Sequence, residues 1–320
     1  MLALRGMLLV RMPELPDIDT YCHVLRARVV GQPLTRVELL SPFVLRTVTP
    51  APAAAEGRVV SAVSRLGKRV VLTFERELHF VIHLMIAGRL RFDATGPGSK
   101  PLKALSPRAG ALFALHFPTG RLSLGEVSKK KRAKLHVVEG AAALHEHDPG
   151  GVEPLEVDLP TFRAALTAEN HTIKRALTDP RVLSGIGNAY SDEILHRAQL
   201  TPVRWTTRLT DDDFARLFEA TRAVLNEFRA RMIAELDGGF PEKVTAFRPD
   251  MAAHGKYGQP CPVCGEPIQR IRYADNETNY CARCQNGGAL LADRGLSRLL
   301  KGDWPKTLEG LEDLKRTRTR

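Results

Sequence analysis

The 320-residue chain contains five cysteines, and four of them form two close pairs, Cys261-Pro-Val-Cys264 and Cys281-Ala-Arg-Cys284, with sixteen residues between the pairs. This is the C-x2-C-x(15–20)-C-x2-C spacing of a four-thiolate zinc site. Each short knuckle aims two sulfurs at one point. Zn2+ accepts four thiolates at about 2.3 Å in a tetrahedron, with no position left for water or substrate. One structural zinc ion on Cys261, Cys264, Cys281 and Cys284 is therefore the expected cofactor. The other reading, two redox-active pairs, fits the paired spacing poorly. Cys22 stands apart and reads as a core residue.

A second stretch able to do chemistry is Gly185-Ile-Gly-Asn-Ala-Tyr-Ser-Asp-Glu193, a glycine-rich turn that opens a helix. Backbone N–H groups and the positive end of the helix dipole make such a turn a seat for phosphate, to which Asn188 can add a side-chain donor. The same Gly-x-Gly pattern also occurs as a tight packing corner. The third stretch is Met12-Pro13-Glu14-Leu15-Pro16-Asp17, two acids and a proline directly before a helix.

Charge and composition say what these groups would act on. Lys and Arg number 47 against 36 Asp and Glu, a net charge of +11 that points to a polyanionic partner. With 43% apolar and 26% charged residues the chain is that of a folded protein rather than a disordered one. Charge interrupts every apolar run well short of the ~18 residues a membrane span needs, so no membrane partner is expected. The opening MLALRGMLLVR lacks the long apolar region and cleavage site of a secretory signal, and a cytoplasmic location is expected.

The elements that must position these groups follow from hydrophobic period. Ile18, Tyr21, Cys22, Leu25 and Val29 recur at helical spacing and predict a helix over Asp17–Val29, capped by Asp17 and preceded by Pro16. The period then shortens. Val37–Leu40, Arg58–Val63, Arg69–Phe74, His79–Leu84, Gly88–Phe92, Ala111–Phe117 and Arg121–Leu124 read as strands, and seven or eight such strands predict a β-sandwich. Helical runs follow at Pro160–Ala168, Thr172–Leu177, Ala189–Ala198 and Thr210–Glu235. Between the cysteine pairs, Ile268–Tyr273 and Thr278–Tyr280 form a hairpin turning at Ala274–Glu277. In the tail, Leu290, Leu291, Leu296, Leu299 and Leu300 read as a helix. Lys315–Arg320 is either a basic end for non-specific phosphate contact or a solvated terminus.

Pro-Glu-Leu-Pro after a Met, Gly-Ile-Gly-Asn-x-Tyr-x-x-Glu, and a late four-cysteine hairpin occur here in one order, and in that order the chain resembles the formamidopyrimidine-DNA glycosylases of the Fpg/Nei family, over about Met12 to Gln285. The resemblance implies an α+β multidomain fold: an N-terminal β-sandwich with a leading helix over 13–138, a helical helix-two-turn-helix domain over 150–240, and a C-terminal zinc-finger β-hairpin over 255–286. A basic extension over 287–320 follows. It also implies a DNA base-excision repair enzyme, a bifunctional glycosylase and abasic-site lyase acting on oxidised bases, with damaged double-stranded DNA as partner. A monomer is expected, associated with the nucleoid if the source is bacterial.

By the same resemblance Pro13 is the nucleophile: a free secondary amine attacks C1′ of the damaged nucleotide, expels the base and leaves an iminium ion whose elimination cuts the strand. Glu14 is the acid that protonates the opening ring oxygen. Asp17 is either a second acid or a plain helix cap. Within a longer chain the Pro13 nitrogen is an amide without a usable lone pair, so residues 1–12 are expected to be absent from the active enzyme. Lys68 matches the family's phosphate-gripping lysine, although a solvated edge-strand lysine would look the same. Gly185, Gly187 and Asn188 match a second grip.

Three positions depart from the family pattern. The run His-Leu-Gly-Met-Ser-Gly reads His83-Leu-Met-Ile-Ala-Gly88 here, placing Ile86 as the apolar wedge. An Arg and Phe that fill the stack are replaced near Glu126-Val-Ser-Lys-Lys-Lys-Arg132, leaving Lys129 and Lys130 to hold phosphate. The hairpin Arg that grips the flanking phosphates becomes Asn276. Abasic-site opening is thus expected to be more robust than excision of oxidised bases. The alternatives are a lyase with little or no base excision, and a non-catalytic binder of DNA structure.

Overall fold

The computed structural model describes residues 12–96, 98, 101–128, 130–241, 248–273, 276–292, 305–311 and 313. The chain divides into two compact units, Met1–Pro149 with Phe228–Ala246, and Gly150–Glu227 with Phe247–Arg320. No described helix is long and apolar enough to cross a membrane.

The first unit runs α1 (Leu15–Val29), β1 (Arg36–Leu39), β2 (Val60–Leu66), β3 (Arg69–Phe74), β4 (Leu78–His83), β5 (Gly88–Ala94), β6 (Ala111–Phe117), β7 (Gly120–Glu126), β8 (Lys134–Glu139) and α2 (Ala141–His145). The strands form two four-stranded sheets in the orders β1-β6-β7-β5 and β2-β3-β4-β8, and neighbouring strands in both pair antiparallel. The β-sandwich with a leading helix is therefore present. Alternation builds its core: Val70, Leu72 and Phe74 of β3 and Phe80 and Ile82 of β4 join Phe113, Leu115, Leu122 and Leu124 from the other sheet, with Ile18, Tyr21, Leu25 and Val29 of α1. Val71, Val81 and Val138 point the other way and pack with Ala143 and Leu144, so β4 is buried on both faces and shows no alternation.

Two details differ from the sequence reading. The eighth strand, β8, lies at Lys134–Glu139, where the preceding basic run obscures a short alternation of Leu135 and Val137. Helix α1 begins at Leu15 rather than Asp17, and its N-cap is Glu14. Pro16 falls inside the first turn, where its missing N–H has no intrahelical partner to lose. Asp17 is the third helical residue and closes a capping box with Glu14.

The chain returns to this unit beyond Phe228. Phe240 stacks near Tyr21 and Phe92 at 5.7 and 6.2 Å, and Arg28 donates to the carbonyls of Gly238 and Gly239.

The second unit contains α3 (Leu159–Thr167), α4 (Ile173–Thr178), α5 (Asn188–Ala198), the first part of α6 (Asp211–Ala234), β9 (Gln269–Arg272), β10 (Glu277–Tyr280) and α7 (Ala282–Asn286). Phe162, Ile173, Leu177, Ile186, Tyr190, Ile194 and Leu217 are buried in it. The antiparallel β9–β10 hairpin pairs Glu277 with Arg272 and Tyr280 with Gln269. The tail helix expected near Leu296–Leu300 lies outside the described residues. Leu290 and Leu291 pack against Ile271, Tyr280 and Ala282.

Candidate catalytic and nucleic-acid-binding site

In the first unit the groups gather at the start of α1. The Glu14 N–H donates to Asp17 Oδ2 at 2.7 Å, and the Glu14 side chain in turn accepts from the Asp17 backbone N–H. Both acids are buried, at 3% and 0% exposure, at the positive end of the helix dipole, which favours their negative charge. Pro13, also buried, is joined directly to Glu14.

A second element delivers a cation to this pair. Strands β2 and β3 are joined by the two-residue turn Gly67-Lys68, since Leu66 pairs with Arg69. Gly67 takes φ +59°, a conformation that costs a side-chain-bearing residue steric strain. Arg65 steadies the turn, donating to Gly67 O at 3.1 Å and to Asp19 of α1 at 2.9 Å. Lys68 is thereby held where burial pushes its ammonium pKa down while the charges of Glu14 and Asp17 oppose that shift. The structure thus brings Glu14, Asp17 and Lys68 together, with Pro13 joined to the first of them.

Sequence reasoning missed the residues beside Lys68. Register places Arg69, His83 and Lys134 in one row across β3, β4 and β8. Burial pushes the His83 pKa down to about 3, with Arg69, Lys134 and Lys68 adding to the shift. No local pattern marks this row, because strand pairing alone creates it.

The turn between β4 and β5 carries Ile86, half-buried. Gly88 N–H closes it on Leu84 O at 2.9 Å, and a Cβ on Gly88 would collide with that oxygen. Met85 sits at φ +53°, where the family run has Gly. Ile86, Ala87, Arg89, Val127 and Ser128 line one open cavity of about 500 Å³. Val127, 88% exposed, is thus an apolar neighbour of Ile86 that the sequence reading passed over. Glu126 shapes the following segment, accepting from the N–H groups of Arg132 and Ala133 at 2.8 and 3.0 Å, while Lys131 donates back to Glu126 O. Lys130 is exposed, and Lys129 lies outside the described residues.

In the second unit the glycine-rich turn opens α5 as expected. Gly185 holds φ +81° and Gly187 is the N-cap. Asn188 is the first helical residue, and its Nδ2 donates to Glu277 O of the hairpin at 2.9 Å, so one of its two amide hydrogens ties helix to finger. Lys174 bridges Asn188 O, Ser191 Oγ and Asp192 Oδ1 at 3.1, 2.9 and 2.5 Å. The buried Glu193 carboxylate accepts the N–H groups of Ala252, Ala253 and His254, each at 2.8 Å, a structural rather than chemical task. Asn276 is exposed at the hairpin turn, where its carbonyl accepts from Tyr273 N–H at 2.8 Å.

The four cysteine sulfurs lie within 4.8 Å of one another. Cys264 and Cys281 are 3.4 Å apart, and Cys261 and Cys284 are 3.9 Å apart. A tetrahedron with zinc–sulfur bonds of about 2.3 Å has edges of about 3.8 Å, so the donor set fits one zinc ion.

The chain matches the model of the formamidopyrimidine-DNA glycosylase N-terminal domain over residues 12–140, that of the H2TH domain of the same enzymes over 151–231, and that of a zinc finger found in FPG and IleRS over 258–287. The formamidopyrimidine-DNA glycosylase of Thermus thermophilus is 32% identical over 288 residues, 87% of this chain and 100% of the relative. That of Heliobacterium modesticaldum is 32% identical over 289 residues, 86% of this chain and 100% of the relative. The structure of the MutM (Fpg) protein from Thermus thermophilus superposes with a TM-score of 0.69 at 30% identity, covering 85% of this chain and 98% of that one. Lactococcus lactis Fpg bound to DNA containing an AP site superposes at 0.70 and 24% identity, covering 85% and 99%, a likeness of fold.

Proposed function

The chain belongs to the formamidopyrimidine-DNA glycosylase family, and from that premise we propose that it is a DNA repair glycosylase and abasic-site lyase whose nucleophile is the nitrogen of Pro13. The observation that carries the assignment of roles is the capping box of Glu14 and Asp17 at the start of α1, with Pro13 bonded to Glu14 and the charge of Lys68 felt by both acids.

The chemistry follows from what these atoms can do. With the Met12–Pro13 bond opened, Pro13 is a secondary amine, and α-amines titrate near 7.7–8.0, so a neutral fraction exists at physiological pH. Its lone pair attacks C1′, the bond from C1′ to the base breaks, and the base leaves with that electron pair and takes a proton from water. Glu14 takes the proton leaving the prolyl nitrogen and delivers it to O4′ as the sugar ring opens. The resulting iminium acidifies the C2′ proton. Loss of that proton breaks the C3′–O bond, and the 3′ phosphate leaves with its electron pair. Lys68 holds a backbone phosphate close by, its approach set by the two acids. Ile86 enters the gap left by the flipped nucleotide. Gly185, Gly187, Asn188, Asn276, Lys129 and Lys130 complete the grip on the backbone. The zinc ion keeps the hairpin rigid and takes no part in bond breaking.

A reading with weak base excision and strong lyase action is favoured by Asn276, an uncharged side chain exposed at the hairpin turn. One experiment tests both. Protein beginning at Pro13 is incubated with duplexes carrying 8-oxoguanine, an oxidised pyrimidine or an abasic site, with and without borohydride. Covalent trapping lost when the Pro13 nitrogen is acetylated supports the nucleophile, and cutting confined to abasic duplex supports the lyase-only form. Protein whose intact mass still includes Met12 and which traps DNA equally well would overturn the role of Pro13.

A further inference from the structure

His196 lies on α5 in the interior of the second unit, with its Nε2 3.2 Å from Cys261 Sγ; the two residues are 6% and 3% exposed. A metal-bound thiolate has lone pairs but no hydrogen, so the ring nitrogen facing it must be the donor, which fixes the tautomer as Nε2–H.

We propose that His196 is an outer-sphere ligand of the zinc ion, donating Nε2–H to the Cys261 thiolate and fastening the metal site to α5. The inference is independent of how the enzyme cuts DNA. It rests on a line of contacts from one turn of helix. Asp192 Oδ2 holds His254 Nδ1 at 2.7 Å, Glu193 takes the three N–H groups of residues 252–254, and His196, four residues beyond Asp192, reaches the first knuckle. The second knuckle is tied to the chain just after the same helix: Gln285 accepts from Cys281 N–H at 2.8 Å and donates to Leu200 O at 2.9 Å. Among these contacts only the His196 bond ends on a ligand sulfur. An N–H···S bond draws charge from the thiolate, so protons and electrophiles compete less well with zinc for that sulfur. Removing such a partner typically lowers metal affinity 10–100-fold.

The test uses the full chain loaded with zinc or cobalt. His196→Phe keeps the bulk without the donor, and His196→Gln restores an N–H. Competition with a chromophoric chelator is expected to show a roughly 10–100-fold weaker hold on zinc in the Phe variant, partly recovered by Gln. In the cobalt form the sulfur-to-metal charge-transfer band should move to lower energy in the Phe variant and return toward its parental position with Gln. A Phe variant with parental zinc affinity and an unmoved band would overturn the proposal. The parental protein offers a second measurement that needs no variant. After exchange with 113Cd, a through-bond coupling between the metal and the His196 Nε2 proton is expected, and its absence would equally overturn the assignment.

Discussion

The backbone N–H of Glu14 donates to the carboxylate of Asp17 at 2.7 Å, and this reciprocal cap makes the start of α1 both a structural joint and a holder of charge. The two acids should therefore separate on mutation. Asp17→Ala removes the acceptor and is expected to cost about 1 kcal/mol, a fall of roughly 2–4 °C in Tm. Glu14→Gln retains an acceptor for the Asp17 N–H and should cost less stability than Asp17→Ala, yet lose strand opening. Thermal unfolding beside an abasic-site nicking assay reads both, and equal stability losses in the two variants would contradict the division of roles.

Lys68 should act through phosphate. Lys68→Ala is expected to weaken binding to all duplexes alike and to lower the slope of log K against log salt by about 0.9. Fluorescence titrations between low and physiological salt measure that slope. An unchanged slope would place Lys68 off the DNA backbone.

Met85 and Gly88 should respond in opposite directions. Met85 carries a side chain at φ +53°, so Met85→Gly is expected to stabilise the first unit by about 1 kcal/mol through relief of strain. Gly88→Ala should destabilise, because its Cβ would collide with a backbone oxygen. Urea midpoints of the two variants against the parent decide the matter.

Acid should loosen the first unit through its histidines. Burial, with neighbouring cations, pushes His83 down to about 3 and His136 to about 4, below the ordinary value near 6.5. The unfolded chain then binds more protons than the native one in this window, so stability rises with pH. The contribution is present above about 6.5 and is lost as pH falls toward 4 and then 3. The double variant His83→Asn with His136→Asn should show a flatter Tm profile between pH 7 and 4.5, and a profile parallel to the parent's would refute the assignment.

Zinc removal should be felt beyond the knuckles. Asn188 donates to Glu277 O, so loosening the hairpin frees the start of α5 as well. Chelation is expected to weaken DNA binding and to raise amide exchange both in the hairpin and at residues 188–191. Exchange confined to the hairpin would show that the link carries nothing.

Much was legible from local spacing because the causes were local. Two C-x-x-C pairs converge on one ion wherever they are placed, and the predicted hairpin between them is the one observed. Alternation in Arg69–Phe74 and helical recurrence in α1 reported the faces that entered the core. The β-sandwich, the helical second unit and the family followed from these and from three separated motifs.

What the residue order left open depended on partners distant along the chain. Asp17 looked like a cap because it is a favoured capping residue, whereas backbone geometry gave that position to Glu14. Strand β8 was hidden until β4 paired with it. The row of Arg69, His83 and Lys134 arises from strand register, and the bond from His196 to Cys261 joins residues 65 positions apart. Spacing can specify a turn, a period or a metal knuckle, since these need only neighbours. Which side chain meets which across the fold was decided by packing, which no short window of sequence contains.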